Sequence, residues 1–237
     1  NNGQCECPSD KPYESGDTCE APNCANGGVS CSGGKTCQDK VCRCPEGQTD
    51  KNGTCVASCS PEIGSILYSD MSCSKEVFSS KTPIGIIFDA MERLAIALEY
   101  TYLEWTDALV HNGIPELENC GSQVILNCAT DGKVNTAQIM DFAQSSGYAY
   151  PAAEYCYTYV TDGTQAGDWF LPSLYQLLKI YNAKEVINNT LTLLSKEPLY
   201  DQTYWTSNED EKSRYVWRLY FKYGNYTTNF GDYGSNY

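Results

Sequence analysis

Pro83-Ile-Gly-Ile-Ile-Phe-Asp-Ala-Met-Glu-Arg93-Leu-Ala-Ile-Ala-Leu98 is the stretch on which the fold of this chain turns. Two apolar runs, Ile84 to Phe88 and Leu94 to Leu98, flank Asp89 to Arg93. Ala, Met, Glu, Arg and Leu are strong helix formers, so one amphipathic helix is allowed. Two strands around a turn are allowed as well, and propensity leaves the choice open. These are also the longest apolar stretches of the chain, far short of the roughly 20 residues a membrane-spanning helix needs.

Downstream the pattern is clearer. Asp131 to Asn135 is turn-rich, Thr136 is placed to cap a helix carrying Ile139, Met140 and Phe142 on one face, and Gly147 can stop it. Pro172-Ser173 starts a second helix, with Leu174, Leu177, Leu178 and Tyr181 at three-to-four spacing. Tyr215, Trp217, Leu219 and Phe221 alternate with Val216, Arg218 and Tyr220 as in a strand. Gly224-Asn225 marks a hairpin turn before Tyr226 to Phe230.

The chain has 237 residues, 41% hydrophobic and 19% charged, with 16 basic and 30 acidic side chains and a net charge of −14. That is a globular composition. Its field repels phosphate backbones and anionic membranes, so nucleic acid is excluded as a partner and direct membrane insertion is not expected. The chain lacks a basic start followed by an apolar core, and a secretion signal is expected upstream or removed.

Of fourteen cysteines, ten lie between Cys5 and Cys59. Such density in a Gly-rich segment points to disulfides in an oxidising compartment. Zinc fits less well, because the close pairs are Cys5-Glu-Cys7 and Cys42-Arg-Cys44 and the single histidine, His111, is remote. Cys24, Cys31, Cys37, Cys42, Cys44 and Cys55, with Asn26-Gly27-Gly28, Cys42-Arg-Cys44-Pro45, Gly47 and Gly53, resemble an EGF-like module. The resemblance implies Cys24 with Cys37, Cys31 with Cys42, and Cys44 with Cys55. Spacing alone leaves fifteen pairings open. The gap between Cys37 and Cys42 is short for the family's central hairpin, and Glu20-Ala-Pro-Asn23 lacks the acidic pair of its calcium-binding version. Cys5-Glu-Cys7-Pro8 and Cys19 repeat the end of the pattern, which implies Cys7 with Cys19 and a partner for Cys5 upstream.

After Cys59 aromatics and aliphatics rise, and a domain boundary falls near residues 56 to 61. Cys59 and Cys73 are placed to close a small clamp. Pro83-Ile-Gly-Ile-Ile-Phe, Arg93-Leu-Ala-Ile-Ala-Leu and Trp105 resemble the opening hairpin of a bacterial ligand-binding-like family, the DUF1566 or Lcl C-terminal domain. So do Thr130-Asp-Gly-Lys-Val-Asn-Thr136, Tyr150-Pro-Ala-Ala-Glu-Tyr-Cys156, Gly167-Asp-Trp-Phe-Leu-Pro-Ser173, Tyr204-Trp-Thr-Ser-Asn-Glu209 and Trp217-Arg-Leu-Tyr-Phe221. The resemblance decides for a hairpin at 83–98. It implies a C-type-lectin-like fold of the formylglycine-generating-enzyme type, which also hosts the variable proteins of diversity-generating retroelements. It implies Cys128 with Cys156, leaving Cys120 over, and a last core strand beyond Tyr237.

The expected fold class is α+β, a disulfide-rich EGF-like stalk plus a mixed C-type-lectin-like head. Residues 1–20 read as a partial EGF-like module, 21–58 as a complete one, 59–82 as a disulfide-clamped linker and 83–237 as the lectin-like domain with its last strand missing.

Catalytic chemistry finds little support. His111 lies in a turn-like His-Asn-Gly, and no base stands beside a nucleophile. Formylglycine-generating enzymes use late cysteines, and none follows Cys156. Glu116, Glu118, Asp201, Glu209, Asp210 and Glu211 supply carboxylates for a glycosidase, but read more simply as solvated acidic loops. Phosphate-binding Gly-rich loops and the Glu-Pro-Asn and Trp-Asn-Asp signatures of calcium-dependent lectins do not occur. Asn208-Glu-Asp-Glu211, the one oxygen cluster suited to calcium, reads as a solvated loop. No metal and no cofactor is expected. Asn52-Gly-Thr54, Asn188-Asn-Thr190 and Asn225-Tyr-Thr227 match the glycosylation acceptor but are expected to be unmodified.

The C-terminal region mixes Tyr200, Tyr204, Tyr215, Tyr220, Tyr223, Tyr226, Tyr233 and Tyr237 with Asn and Ser. Tyrosine offers large contact with few rotamers to freeze, and Asn and Ser adapt their hydrogen bonds. Tyr220, Tyr223, Asn225, Tyr226, Asn229, Asn208 and Tyr233 are the candidate ligand-binding residues, with Trp205, Trp217, Leu219 and Phe221 as core. The expectation is a secreted bacterial surface protein that binds a protein or glycan without catalysis. A self-assembling subunit of a filament or coat, completing open sheet edges with a neighbour's strand, is the alternative. A carboxylate-dependent glycan hydrolase comes third.

Overall fold

Asp89 decides the opening stretch. Its carboxylate accepts hydrogen bonds from the backbone N–H groups of Met91 (3.0 Å) and Glu92 (3.1 Å), and it pairs with Lys179. These bonds shape a turn between two strands, and the distant Lys179 reinforces it. Pro83–Asp89 and Leu94–Ala97 are antiparallel strands, with a register shift at Leu94/Ala95. Gly85 is required by close approach, since a Cβ there would meet the Ile96 carbonyl oxygen at 2.7 Å and the Trp169 ring at 3.0 Å.

The structure is a computed structural model that describes residues 9, 11, 13–15, 18–45, 48–51, 53–57, 59–107, 113–115, 117, 119–120, 131–210 and 215–230. It has two units, Asn1–Cys59 and Ser60–Tyr237. The combination is α+β and disulfide-rich.

The described residues of the first unit form three short antiparallel hairpins: β1 (Tyr13–Ser15) with β2 (Thr18–Glu20), β3 (Thr36–Gln38) with β4 (Val41–Arg43), and β5 (Gln48–Lys51) with β6 (Thr54–Ala57). Disulfides join Cys24 to Cys37, Cys31 to Cys42 and Cys44 to Cys55. This is the order implied by the EGF-like resemblance. The short Cys37–Cys42 gap does hold a hairpin, because Asp39 (φ 50°) and Lys40 (φ 65°) both adopt the left-handed conformation of a tight two-residue turn. Asn23 and Asn26 shape the Asn-Gly-Gly loop, with their side-chain oxygens accepting from the backbone of Ala25, Asn26, Asn23 and Gly28. Among the described residues the buried hydrophobic side chains all lie at Ile66 or later, so the staples stand in for a core here. The Cys24, Cys31 and Cys42 sulfurs lie within 4.8 Å of one another, but all three are in disulfides and offer no thiolate. Cys5 and Cys7, and the side chain of Cys19, lie outside the described residues.

In the second unit the expected linker 59–82 is instead part of the fold. It supplies β7 (Ile66–Tyr68) and β8 (Cys73–Ser74), in a sheet ordered β10-β9-β7-β8, where β9 is Pro83–Asp89 and β10 is Leu94–Ala97. Ile66 and Tyr68 are fully buried, and the Tyr68 hydroxyl donates to the Glu76 carbonyl at 2.6 Å. An apolar strand of this sort is misread as linker because it is only three residues long. Cys59 and Cys73 are both disulfide-bonded.

The second sheet is ordered β11 (Asn119–Cys120), β12 (Thr203–Asp210), β13 (Tyr215–Tyr220), β14 (Asn225–Phe230), with β11 parallel to β12 and the rest antiparallel. Both of its faces are covered. Tyr204, Trp217 and Leu219 pack with Phe221, with Ile86 and Phe88 of β9, and with the apolar stripes of α3 (Leu174–Asn182) and α4 (Lys184–Leu193). Trp205 and Val216 pack on the opposite side with Trp105, Ile139 of α1 (Gly132–Ser146), and Ala152 and Ala153 of α2 (Pro151–Thr158). Buried indoles are tied down. Trp105 donates to the Thr206 carbonyl at 2.9 Å and Trp205 to the Leu103 carbonyl at 3.1 Å.

Candidate functional site

Three of the motifs that carry the resemblance meet in one buried knot and are structural there. Gly132 fits against Leu171, Ser173 and Gln176 so closely that a Cβ would lie 2.5 Å from Gln176 Oε1. Gln176 Oε1 accepts from the Gly132 and Ser173 N–H groups, and Ser173 caps α3 in a capping box with Gln176. Asn135 donates to Ser207, and the Ser207 N–H donates to the Pro172 carbonyl. The α1 cap is Asp131, whose side chain accepts from Lys133 N–H, rather than the expected Thr136. Thr136 lies buried one turn inside, bonded to the Gly132 carbonyl and to Leu171 N–H. Gly147 ends the helix at φ 77°, as its sequence suggests.

Asn208 belongs to the same knot and is corrected from the ligand-binding set. It is fully buried, and its Oδ1 accepts from Leu174 N–H, the first helical residue of α3, at 2.8 Å. The expectation of a solvated loop at Asn208-Glu-Asp-Glu211 fails for its described part. Asn208, Glu209 and Asp210 end strand β12 and are all buried. Pairing on both edges, with β11 and β13, draws these polar residues inside. The Glu209 carboxylate accepts from Ile114 N–H at 3.1 and 3.2 Å through its two oxygens. Of the other carboxylates, Asp201 is exposed and pairs with Lys184. Glu116, Glu118, Glu211 and His111 lie outside the described residues.

The remaining candidates sit on the β13–β14 hairpin, and its register sorts them. Tyr220 lies opposite Asn225, Leu219 opposite Tyr226, Arg218 opposite Thr227 and Val216 opposite Asn229. Directly opposed residues share a face. Arg218, Tyr220, Asn225 and Thr227 therefore line one face, with Trp205 and Thr203 beside them on β12. Tyr226 is on the other face, with its ring against Trp217 at 6.0 Å, and does not join them although it is 44% exposed. Tyr223, 60% exposed in the turn, meets Tyr220 edge to face at 5.4 Å, and the Lys222 ammonium lies 5.2 Å from the Tyr223 ring centre. Asn229 holds its register position with its side chain outside the described residues, and Tyr233 lies outside them entirely.

Sequence reasoning missed Arg218, which sits at the centre of this face. Its Nε is buried with no hydrogen-bond partner among the described residues. Burial holds its guanidinium below the usual value, with no carboxylate offsetting the loss of water. Residues 215–230 contain Arg218 and Lys222 and no Asp or Glu, a local reversal of the chain's charge that the sequence could have signalled.

A cavity of about 530 Å³ opens beside β10, lined in part by Leu94, Ile96, Tyr155, Cys156, Tyr159 and Trp169. Here the expected bond from Cys156 to Cys128 is corrected: Cys156 is a free thiol facing apolar neighbours, and Cys128 lies outside the described residues. Burial pushes the thiol up to about 12, so it is not a nucleophile at neutral pH. Among the described residues β10 is an edge strand, and its four residues are half-buried along the cavity.

No helix of the described residues is long and apolar enough to cross a membrane. Comparison with protein-family models, curated proteins and solved structures finds no match.

Proposed function

We propose that this chain is a secreted or cell-surface recognition protein, with a disulfide-stapled EGF-like segment carrying a C-type-lectin-like domain. The domain binds a protein or glycan through the β13–β14 hairpin and performs no catalysis. The observation that carries the reading is half-buried Tyr220 paired with exposed Tyr223, with Asn225 and Thr227 exposed nearby, on a hairpin anchored in the core through Trp217 and Leu219. Rigid aromatics with adaptable amides on a fixed scaffold are what contact recognition uses. The stapled first unit supports an oxidising, extracellular setting.

The test is binding of the full chain to glycan and protein arrays, with and without a calcium chelator. A variant carrying Tyr220 and Tyr223 both changed to Ser is run beside it. Specific binding lost in the variant supports the reading, and retention of all binding rejects it.

The second reading, self-assembly, is favoured by one feature: the β10 edge beside an apolar cavity suits an extended strand from a second copy. Light scattering against concentration tests it, and a monomer that persists at high concentration excludes it.

A further inference from the structure

The face that holds Tyr220 also carries a half-buried cation, Arg218, with no carboxylate partner among the described residues. Arg218 lies between Trp205 on β12 and Thr227 on β14, one step along the strand face from Tyr220 and Asn225. Its buried Nε lacks a hydrogen-bond partner among the described residues. Arg218 as a whole is half-buried, but its Nε is cut off from water, and a desolvated donor left unbonded is costly. Elsewhere in this unit Lys179, Lys184 and Lys196 each have a carboxylate partner, whereas Lys222 on the hairpin is exposed and lies over the Tyr223 ring. Thirty acidic residues are available in the chain, yet none falls in 215–230.

We propose that Arg218 is the anchor of an acid-sugar subsite, receiving the carboxylate of a glycan end while Tyr220 and Tyr223 contact the ring and Asn225 and Thr227 meet its hydroxyls. The two terminal nitrogens of a guanidinium match a carboxylate in parallel hydrogen bonds, and they are the part of Arg218 not cut off from solvent. The aromatic pair offers an apolar surface for a ring face, and the exposed amide and hydroxyl suit a ligand rich in hydroxyl groups. The charge reversal is local, so it selects a carboxylate placed at this point and would not draw a polyanion along the rest of an acidic surface. The proposal rests on the recognition reading above and names the ligand class of that hairpin.

The experiment uses the full chain, a tetrasaccharide ending in glucuronate, the same sugar as its methyl ester, and a hexaglutamate peptide. Calorimetric titration of the wild type is compared with Arg218→Gln and with Tyr220→Ser/Tyr223→Ser, and melting temperatures are recorded for each. The expected result is binding of the free acid, weakened about tenfold or more by esterification and by Arg218→Gln. The melting temperature of Arg218→Gln should be equal to or above the wild type's, because an uncompensated charge has been removed. Equal affinity for the ester, or full affinity in Arg218→Gln, overturns the subsite while leaving the recognition reading intact if the tyrosine variant still loses binding. A lower melting temperature in Arg218→Gln with affinity kept assigns the residue to the fold and also overturns it. Preference for hexaglutamate over the sugar rejects the glycan assignment. Failure of every probe and every array ligand, with the tyrosine variant indistinguishable from wild type, rejects the recognition reading itself.

Discussion

Asn208→Ala separates a structural amide from a ligand-binding one. In the folded protein the Asn208 side chain is fully buried and its oxygen receives the N–H of Leu174, whose own side chain is also fully buried. The first N–H groups of a helix have no partner within it, so this one depends on Asn208. Truncation leaves a donor that water cannot reach and removes packed volume, a loss of about 1–3 kcal/mol for the unsatisfied group alone. For a unit of the size of Ser60–Tyr237, each kcal/mol moves the midpoint by about 2–4 °C, so a fall of roughly 2–12 °C is expected. The assay is near-ultraviolet circular dichroism on heating under oxidising conditions, paired with ligand binding well below the transition. Binding should persist at its original affinity. An unchanged midpoint together with lost binding would refute the reasoning and return Asn208 to the recognition surface.

Asp89→Asn should lower the melting temperature at pH 7. Burial acting alone would raise the Asp89 carboxyl, but the Lys179 ammonium and the N–H groups of Glu92 and Met91 outweigh it and hold the group below its ordinary value. The stability it adds is complete above the unfolded value and is lost as pH falls through the lower folded one, so variant and wild type should converge toward the acid end of the range. Melting curves from pH 2 to 7 check this, and equal midpoints at pH 7 would dismiss the pair as unimportant. The Cys156 thiol, pushed up to about 12 by burial, should resist iodoacetamide at pH 8 in the native protein and react fully in denaturant. Mass spectrometry of the peptide containing Cys156 reads the result, and rapid native labelling would contradict the buried placement. Replacing Cys44 and Cys55 together by Ser opens a link across 11 residues and should cost about 3 kcal/mol in the first unit. Proteolytic cleavage between residues 24 and 55 should rise accordingly, and undiminished resistance would mean that the other staples suffice.

Much of the second unit was legible because its signals are local. Gly147 ends α1, Ser173 begins α3, and the alternation from Tyr215 onward gives β13 and its hairpin. The opening stretch was not decided by propensity, since its central residues favour helix. A side chain 90 positions away, Lys179, meets Asp89 at the turn, and that contact is invisible in a window of sequence. Asn208, Glu209 and Asp210 were misread for a related reason. Polar residues at the end of a strand look solvated until a parallel neighbour, β11, closes over them. The three-residue strand β7 carried too little pattern to be separated from the linker around it.

The candidate surface was legible as chemistry but not as geometry. A run of Tyr and Asn announces contact-rich residues, yet only the register tells which of them act together. Tyr226 is four positions from Lys222 in a region of uniform composition, and one step of alternation places it with Trp217 and away from Tyr220. The same step brings Arg218 into the set. Its Nε is buried without a partner among the described residues, and residues 215–230 supply no carboxylate to offset the loss of water. The pairing of β13 with β14 thus does more than extend the sheet: it sends Trp217 and Leu219 into one core cluster and Val216 into the other, and leaves Arg218 and Tyr220 half-buried beyond Val216, beside the exposed Asn225 and Thr227.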